Sequence, residues 1–406
     1  MYSRETHPSL AIANAFVVTP SVVLENAAIG VEDGVICEVA PDGRLTRAYE
    51  QQVDARGAYL MPGVIDLHND SLEVEVNPRP ETNLPVEFAL ANLERRLLFS
   101  GVTTEFHAVA FMDNERSRRT VEGAVLKAAY LRDYVESQTQ LVNNQILHRL
   151  DVWSPASLDA IFESMDRMPT RYVSINDHTP GQGQYRDLEG FKQRMVAWAE
   201  RRGGRHGLDT IEQRMQERAA DTQTIPLVYR RISDEMQRRP FVISSHDDDS
   251  PEKVEVLHEL GATLTEFPVT VETARRAREL GMMIIVGAPN IVRGGSSSGN
   301  QSAKELFSLG LADVIVADYH APSLLPAAFS LVDDGLADLP GAVRALTLNA
   351  ATAVGIDNRG AVQPGYAADL IAVRRNVRAF PVVERVFREG VEQLTLRAPQ
   401  RQEVTA

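Results

Sequence analysis

Cysteine is almost absent from this 406-residue chain: Cys37 is the only one, so no internal disulfide can form and dithiol chemistry is excluded. Lysine is scarce as well. Lys127, Lys192, Lys253 and Lys304 are the full set, and the other 38 of the 42 basic residues are arginine. Arginine suits bidentate recognition of phosphate or carboxylate, but base composition of a genome produces the same bias, so placement has to separate the two. Positive charge is also in deficit. A net charge of −14 argues against non-specific nucleic-acid binding. No apolar run approaches the roughly 20 residues that a membrane span needs, and the opening Met1-Tyr2-Ser3-Arg4-Glu5-Thr6-His7-Pro8 lacks the apolar core of a signal peptide. These absences leave the expectation of a cytoplasmic protein that engages neither membrane nor nucleic acid.

What is present is a change of pattern near residue 60. Residues 9–57 read as short strands broken by turns, with Glu32-Asp33-Gly34 as a hairpin signal between apolar runs. From Val64 onward, apolar β-runs alternate with helical segments. Eight can be read: Val64 to Asp70, Val102 to Ala110, Gln145 to Val152, Arg171 to His178, Phe241 to Asp248, Ala262 to Pro268, Met282 to Pro289 and Asp313 to His320. Alternation of this kind predicts a parallel sheet, and eight units fit a (β/α)8 TIM barrel. One connection, about 179–240, is far longer than the rest and reads as a helical insertion over the site. Leu339 to Thr352 reads as a helix, after which strand character returns. The expected organisation is α/β: residues 1–59 and 355–406 form a small β-sandwich from both chain ends, and 60–354 form the catalytic barrel.

Ligand-type residues fall at the ends of these runs. Pro62-Gly63-Val64-Ile65-Asp66-Leu67-His68-Asn69-Asp70 ends in His68 and Asp70, two apart and therefore on one face of a strand. Glu105 and His107 share a face of the second run, and His148 lies on the third. Asp177 and His178 end the fourth, His246 and Asp248 the fifth. Glu266 is on the sixth, and Asp318 and His320 close the eighth. Six of the nine histidines sit near strand ends. One such histidine is more often structural than a ligand, but barrel geometry brings all eight C-terminal ends to one mouth. Imidazoles with carboxylates suit a divalent transition metal (Zn, Mn or Fe), one ion or two. Such an ion lowers the pKa of water, and an adjacent carboxylate can take the proton. Asp318 is the expected base. His68, Asp70, His178, His246 and Asp318 are the expected metal set, with Glu105, His107 and His148 as further candidates.

These stretches resemble the amidohydrolase superfamily, on Pro62 to His68, Asp318, Asn349-Ala350-Ala351-Thr352-Ala353-Val354-Gly355 and Pro364-Gly365-Tyr366-Ala367-Ala368-Asp369-Leu370. A closer resemblance is to its phosphonate-metabolism branch, the ribose 1-methylphosphonate 5-triphosphate diphosphatases of the carbon–phosphorus lyase pathway. It rests on Leu67 to Glu73 with Pro78-Arg79-Pro80, His148-Arg149-Leu150, Asp177 to Gln182, Ser245-His246-Asp247-Asp248, Glu266-Phe267-Pro268, Gly287 to Ser296 with Ser298-Gly299-Asn300, and Asp318-Tyr319 with Pro322 to Leu325. The resemblance implies a metal-dependent barrel beside a small β-sandwich. It also implies His-x-Asp, not His-x-His, on the first strand, and hydrolysis of a sugar triphosphate to the 5-phosphate and pyrophosphate. The chain departs from the branch at Asp151-Val152-Trp153-Ser154, where a further His and a Glu are expected, and at His107, where an acid is expected.

A triphosphate needs cations. Arg79, Arg149, Arg293 and Lys304 are the candidates, with the Gly294-Gly295-Ser296 loop offering backbone N–H groups to an anion. Ion pairing with neighbouring acids is the plainer reading of Arg79 or Arg149 alone. An amidohydrolase of a cyclic amide or N-acyl substrate would use the same metal and aspartate but would leave the Arg293 loop without a purpose. A non-catalytic assembly protein that keeps the barrel is the third reading, disfavoured because the ligand set is intact. A small phosphorylated substrate and a homo-oligomer complete the expectation.

Overall fold

In a computed structural model, residues 9–79, 82–113, 119–179, 216, 218, 220–295, 301–375 and 380–396 are described. The N-terminal strands are β1 (Leu10–Val18), β2 (Val23–Glu32), β3 (Val35–Ala40), β4 (Gln51–Asp54) and β5 (Tyr59–Pro62). Asp33 and Gly34 connect β2 to β3 with φ of 49° and 78°, the two left-handed residues that a type I′ turn requires. The C-terminal strands are β14 (Leu370–Arg375), β15 (Pro381–Arg388) and β16 (Val391–Thr395). Hydrogen bonds join both groups in one mixed sheet of order β16-β15-β14-β5-β1-β2-β3, with β4 beside β1.

The second sheet is parallel. It comprises β6 (Val64–Asn69), β7 (Val102–Phe111), β8 (Asn143–Asp151), β9 (Tyr172–Asn176), β10 (Val242–His246), β11 (Leu264–Glu266), β12 (Met283–Gly287) and β13 (Val314–Val316), each paired with the next in sequence. All eight expected runs are strands. The Asp318 N–H donates to the His68 carbonyl at 2.8 Å and the Asp70 N–H to the Asp318 carbonyl at 2.7 Å, so the first and last strands meet at their C-terminal ends. The result is a nearly closed eight-stranded barrel.

The strand character follows from composition: β-branched and aliphatic residues fit a sheet buried on both faces. Inside lie Ile65, Leu67, Phe106, Leu147, Tyr172 and Leu264, against Ala350 and Ala351 from below. Outside, Ile146, Leu150, Ile175, Ile243 and Ile284 meet the helical layer. Three of the helices in that layer start on hydroxyl caps, Thr120, Ser250 and Thr270, each accepting from the N–H three residues on.

Gly63 is the hinge between the sheets. A Cβ there would lie 2.2 Å from Thr103 Oγ1, and its N–H donates to the Asp369 carbonyl at 2.8 Å. Asp369 itself is buried, pairs with Arg359 and accepts the Glu389 N–H at 2.8 Å. The Pro-Gly and Ala-Asp-Leu motifs therefore meet where one sheet passes to the other.

The expected helix over Leu339 to Thr352 is two, Leu339–Leu346 and Leu348–Ala353. Thr347 breaks it at φ −137°, ψ −88°, with its hydroxyl back-bonded to the Val343 carbonyl at 2.7 Å. Of the long insertion, the described part includes the helix Thr224–Arg238; its expected cover over the site falls on residues outside the described ones. No helix among the described residues is long and apolar enough to cross a membrane.

Candidate metal centre

His68 is 1% exposed near the end of β6. Its Nδ1 is hydrogen-bonded to Glu266 Oε2, while Glu266 Oε1 accepts from the Tyr172 hydroxyl at 3.2 Å and from the Ser244 hydroxyl. A carboxylate only accepts, so Nδ1 carries the proton and Nε2 the lone pair. Nε2 is buried and has no hydrogen-bond partner; it lies 3.7 Å from Asp70 Oδ1. Burial disfavours the imidazolium, yet Glu266 and Asp70 raise the His68 pKa to about 10. The two carboxylates thus favour a cation at Nε2, a proton in its place or a metal ion on the lone pair of the neutral ring. Burial would lift the Glu266 carboxyl, but His68 draws it down to about 2.

Two sets of ligand atoms converge within 4.8 Å of one another: His68, Asp70 and Asp318; and His68, His246 and Glu266. Asp318 sits just past β13 at a left-handed φ of 58°. Asp247 after β10 and Phe267 after β11 are left-handed too, at 54° and 56°, so three strands turn out at the rim in the same way. Burial, with Asp70 adding to it, raises the Asp318 pKa to about 6 against the pull of His68. Phe267 walls the site, with ring centroids 5.4 Å from His68 and 5.1 Å from His246.

His246 ends β10 with Nδ1 3.0 Å from Asp247 Oδ2. His178 follows β9, with Nδ1 2.9 Å from Asp151 Oδ2, and joins neither convergent set. The two histidines therefore do leave the fourth and fifth barrel strands. Arg149 points inward from β8 and is 8% exposed. Nη1 donates to Asp70 Oδ1 at 2.8 Å and Nη2 to Asn176 Oδ1 at 2.8 Å. Against the cost of burial, Arg149 holds the Asp70 carboxyl far below the usual range.

Three candidates are not brought to this group. On β7, Phe106 and Ala108 face the barrel interior, so Glu105 and His107 face the helices. His107 Nε2 meets Asn144 Oδ1 at 2.7 Å, and Asn144 Nδ2 donates to Glu94 Oε1 at 2.8 Å. On β8, Leu147 faces inward and His148 outward. His148 Nδ1 donates to the Tyr172 carbonyl at 3.0 Å, and Nε2 lies 2.9 Å from the Ser164 hydroxyl. Glu105 and His107 thus share one face of β7, but it is the outer face, away from the mouth.

The outer cations are dispersed. Arg79 is exposed, with Nε donating to Thr82 Oγ1 at 3.2 Å. Arg293 is exposed at the end of the helix Ala288–Arg293. Gly294, at φ 78°, and Gly295 turn their N–H groups back to the carbonyls of Ile291 and Asn290 at 3.3 and 3.1 Å, closing that helix. Ser296 lies outside the described residues. Lys304 is tied to Asp334 at 2.7 Å.

Sequence reading placed Glu266 on its strand without giving it a role, and it assigned none to Asp151, Asn176 or Asp247. A glutamate inside the short apolar β11 was the available signal for Glu266. The others depend on pairing across strands.

The similarities to known proteins agree with this geometry. The chain is 32% identical over 381 residues to the α-D-ribose 1-methylphosphonate 5-triphosphate diphosphatase of Escherichia coli (strain K12), spanning 91% of this chain and 97% of that protein. Residues 198–392 match the model of the amidohydrolase family. The chain belongs to the amidohydrolase family. Solved amidohydrolase-like structures share the fold at low identity. N-acetylglucosamine-6-phosphate deacetylase from Pasteurella multocida matches with a TM-score of 0.63 at 13% identity, over 95% of this chain and 99% of that one. Dihydropyrimidinase from Brevibacillus agri NCHU1002 matches with a TM-score of 0.57 at 12% identity, over 95% of this chain and 94% of that one. Amidohydrolases typically bind metal ions. The residues here fit one, because the lone-pair nitrogen of His68 is buried without a partner and faces two carboxylates.

Proposed function

We propose that this protein is a metal-dependent hydrolase that cleaves α-D-ribose 1-methylphosphonate 5-triphosphate to the 5-phosphate and pyrophosphate in phosphonate metabolism. The observation that carries the reading is the near full-length similarity to the diphosphatase. The reaction breaks the bond between the α-phosphorus and the bridging oxygen, and water supplies the new P–O bond. His68, Asp70, His178, His246 and Asp318 would hold a divalent transition metal, which supplies Lewis-acid activation of water and of the phosphoryl group. Asp318 takes the proton from water. Phe267 excludes solvent from one side of the site. Arg79 and Arg293, both exposed, meet the outer phosphates, and Arg149 fixes Asp70. The reading includes a cytoplasmic homo-oligomer with a barrel over 60–354 and a β-sandwich over 1–59 and 355–406.

The test is a panel assay on protein with its metal content measured. Ribose and nucleoside 5-triphosphates are compared with dihydropyrimidines and N-acyl amino acids. Pyrophosphate release from the triphosphates is expected. Amide hydrolysis without pyrophosphate release overturns the reading in favour of a C–N hydrolase.

A further inference from the structure

We propose that Arg119 is a binding residue for the diphosphate end of the substrate, seated in place by Glu73. The inference rests on the phosphate reading above and names a residue outside the metal ligands. Glu73 lies in the helix Ser71–Val76 that follows β6, and its side chain is 6% exposed. Oε1 accepts the Ala110 N–H from β7 at 3.1 Å and lies 3.8 Å from Lys127 Nζ. Oε2 is 2.6 Å from Nε of Arg119, which stands just before the helix Val121–Glu136. One buried carboxylate therefore ties together the segments that follow the first two barrel strands, at the C-terminal rim where a barrel binds its substrate.

An arginine paired with a glutamate is most often structural, but three features distinguish Arg119. Its side chain is 26% exposed, against 9% for Lys127 and 8% for Arg149, so of the three cations it is the one a solute can reach. Among the described residues its guanidinium makes an ion pair with Glu73 but no aligned hydrogen bond, which leaves its N–H fork open. The charges also do not cancel. Arg119, Lys127 and Arg149 face two carboxylates, Glu73 and Asp70, and Asp70 is at the same time a candidate metal ligand. Asp70 lies in the field of both arginines, so the surplus sits beside the site. Surplus positive charge at a partly dry rim suits a polyanion, and a planar fork suits the oxygens of a phosphate. A buried carboxylate that holds the guanidinium beforehand lowers the cost of ordering it on a ligand.

The experiment uses metal-loaded protein and separates the two ends of the substrate. Inhibition constants for pyrophosphate and for ribose 5-phosphate are measured against hydrolysis of ribose 5-triphosphate in the wild type, Arg119→Gln and Arg119→Lys. In Arg119→Gln the pyrophosphate constant and KM are expected to rise about 10–100-fold, the range for losing a charge-assisted hydrogen bond, with the ribose 5-phosphate constant and bound metal unchanged. Arg119→Lys, which keeps the charge without the fork, is expected to fall between. An unchanged pyrophosphate constant in Arg119→Gln overturns the proposal, as does an equal loss for both ligands, the mark of a structural role. If Arg119→Gln does not fold, Arg119→Gln/Glu73→Gln, which leaves no lone buried carboxylate, decides by the same constants. A wild type that releases no pyrophosphate from any triphosphate removes the substrate reading. Calorimetric titration of pyrophosphate into the wild type and Arg119→Gln then decides this residue: binding that depends on Arg119 supports the proposal, and binding that is absent or independent of it overturns it.

Discussion

His148 and His107 give the sharpest test of which histidines serve the fold. Both are fully buried on the outer face of the barrel, and burial lowers each pKa to about 4. An unfolded chain has histidine near 6.5. As pH falls through 6.5, the unfolded state takes up protons that the folded state refuses, so stability is lost on acidification. For one such histidine the linkage amounts to about 2 kcal/mol at pH 5 and about 3 kcal/mol at pH 4, from 1.36 kcal/mol per pKa unit. Buried carboxyls such as Glu105, whose pKa burial raises well above its usual range, titrate in the opposite sense. The quantity to measure is therefore the difference between wild type and His148→Gln, by urea unfolding at pH 7.5, 6 and 5. At pH 7.5 the variant should be less stable by about 1–3 kcal/mol, because Ser164 and the Tyr172 carbonyl lose an ideal partner. That difference should shrink by about 2 kcal/mol by pH 5. The variant should keep its metal. A difference that does not change with pH, or loss of bound metal at pH 7.5, refutes the assignment of His148 to the fold.

Asp318→Asn should retain metal through the remaining ligands and lose about 10²–10⁴-fold in turnover, the range for removal of a positioned base, read as kcat for pyrophosphate release. Asp151→Asn, which weakens the hold on His178 Nδ1, should lower metal affinity or activity about 10–100-fold, measured by competition with a chelating dye. Gly63→Ala forces a Cβ to within 2.2 Å of Thr103 Oγ1 and should cost about 1–3 kcal/mol in unfolding free energy while leaving the ligand set intact. Dialysis against a chelator should abolish pyrophosphate release, and added Zn2+ or Mn2+ should restore it.

All eight barrel strands were legible because each is a short run of apolar, largely β-branched residues, and such runs have few other uses. The helix break at Thr347 was not legible, since it depends on a hydroxyl turning back to Val343 and on Gly360 packing where a Cβ would lie 2.9 Å from Leu348 N. The contributions of Asp369 and Gly63 were visible as motifs but not as a contact. Sequence shows that a residue type is unusual for its place, and only the paired strands show what it touches.

The same limit explains the site. Period two says that Glu105 and His107 share a face, but which face needs the register of β7 against its neighbours, and β6 shifts register between Asp66 and Asn69. That irregularity accompanies His68 at the mouth, and parity counted from a regular strand fails there. Chemistry then selects among the histidines more firmly than position does. His68, His178 and His246 each have Nδ1 against a carboxylate, namely Glu266, Asp151 and Asp247. His107 and His148 instead meet an amide oxygen, a carbonyl and a hydroxyl. A carboxylate at Nδ1 fixes the tautomer with the lone pair on Nε2 and raises its basicity, which suits a metal ligand. Neutral partners stabilise a neutral ring that has only to fill space. The carboxylate partner, 198 residues away in the case of His68 and Glu266, is what separates the two groups.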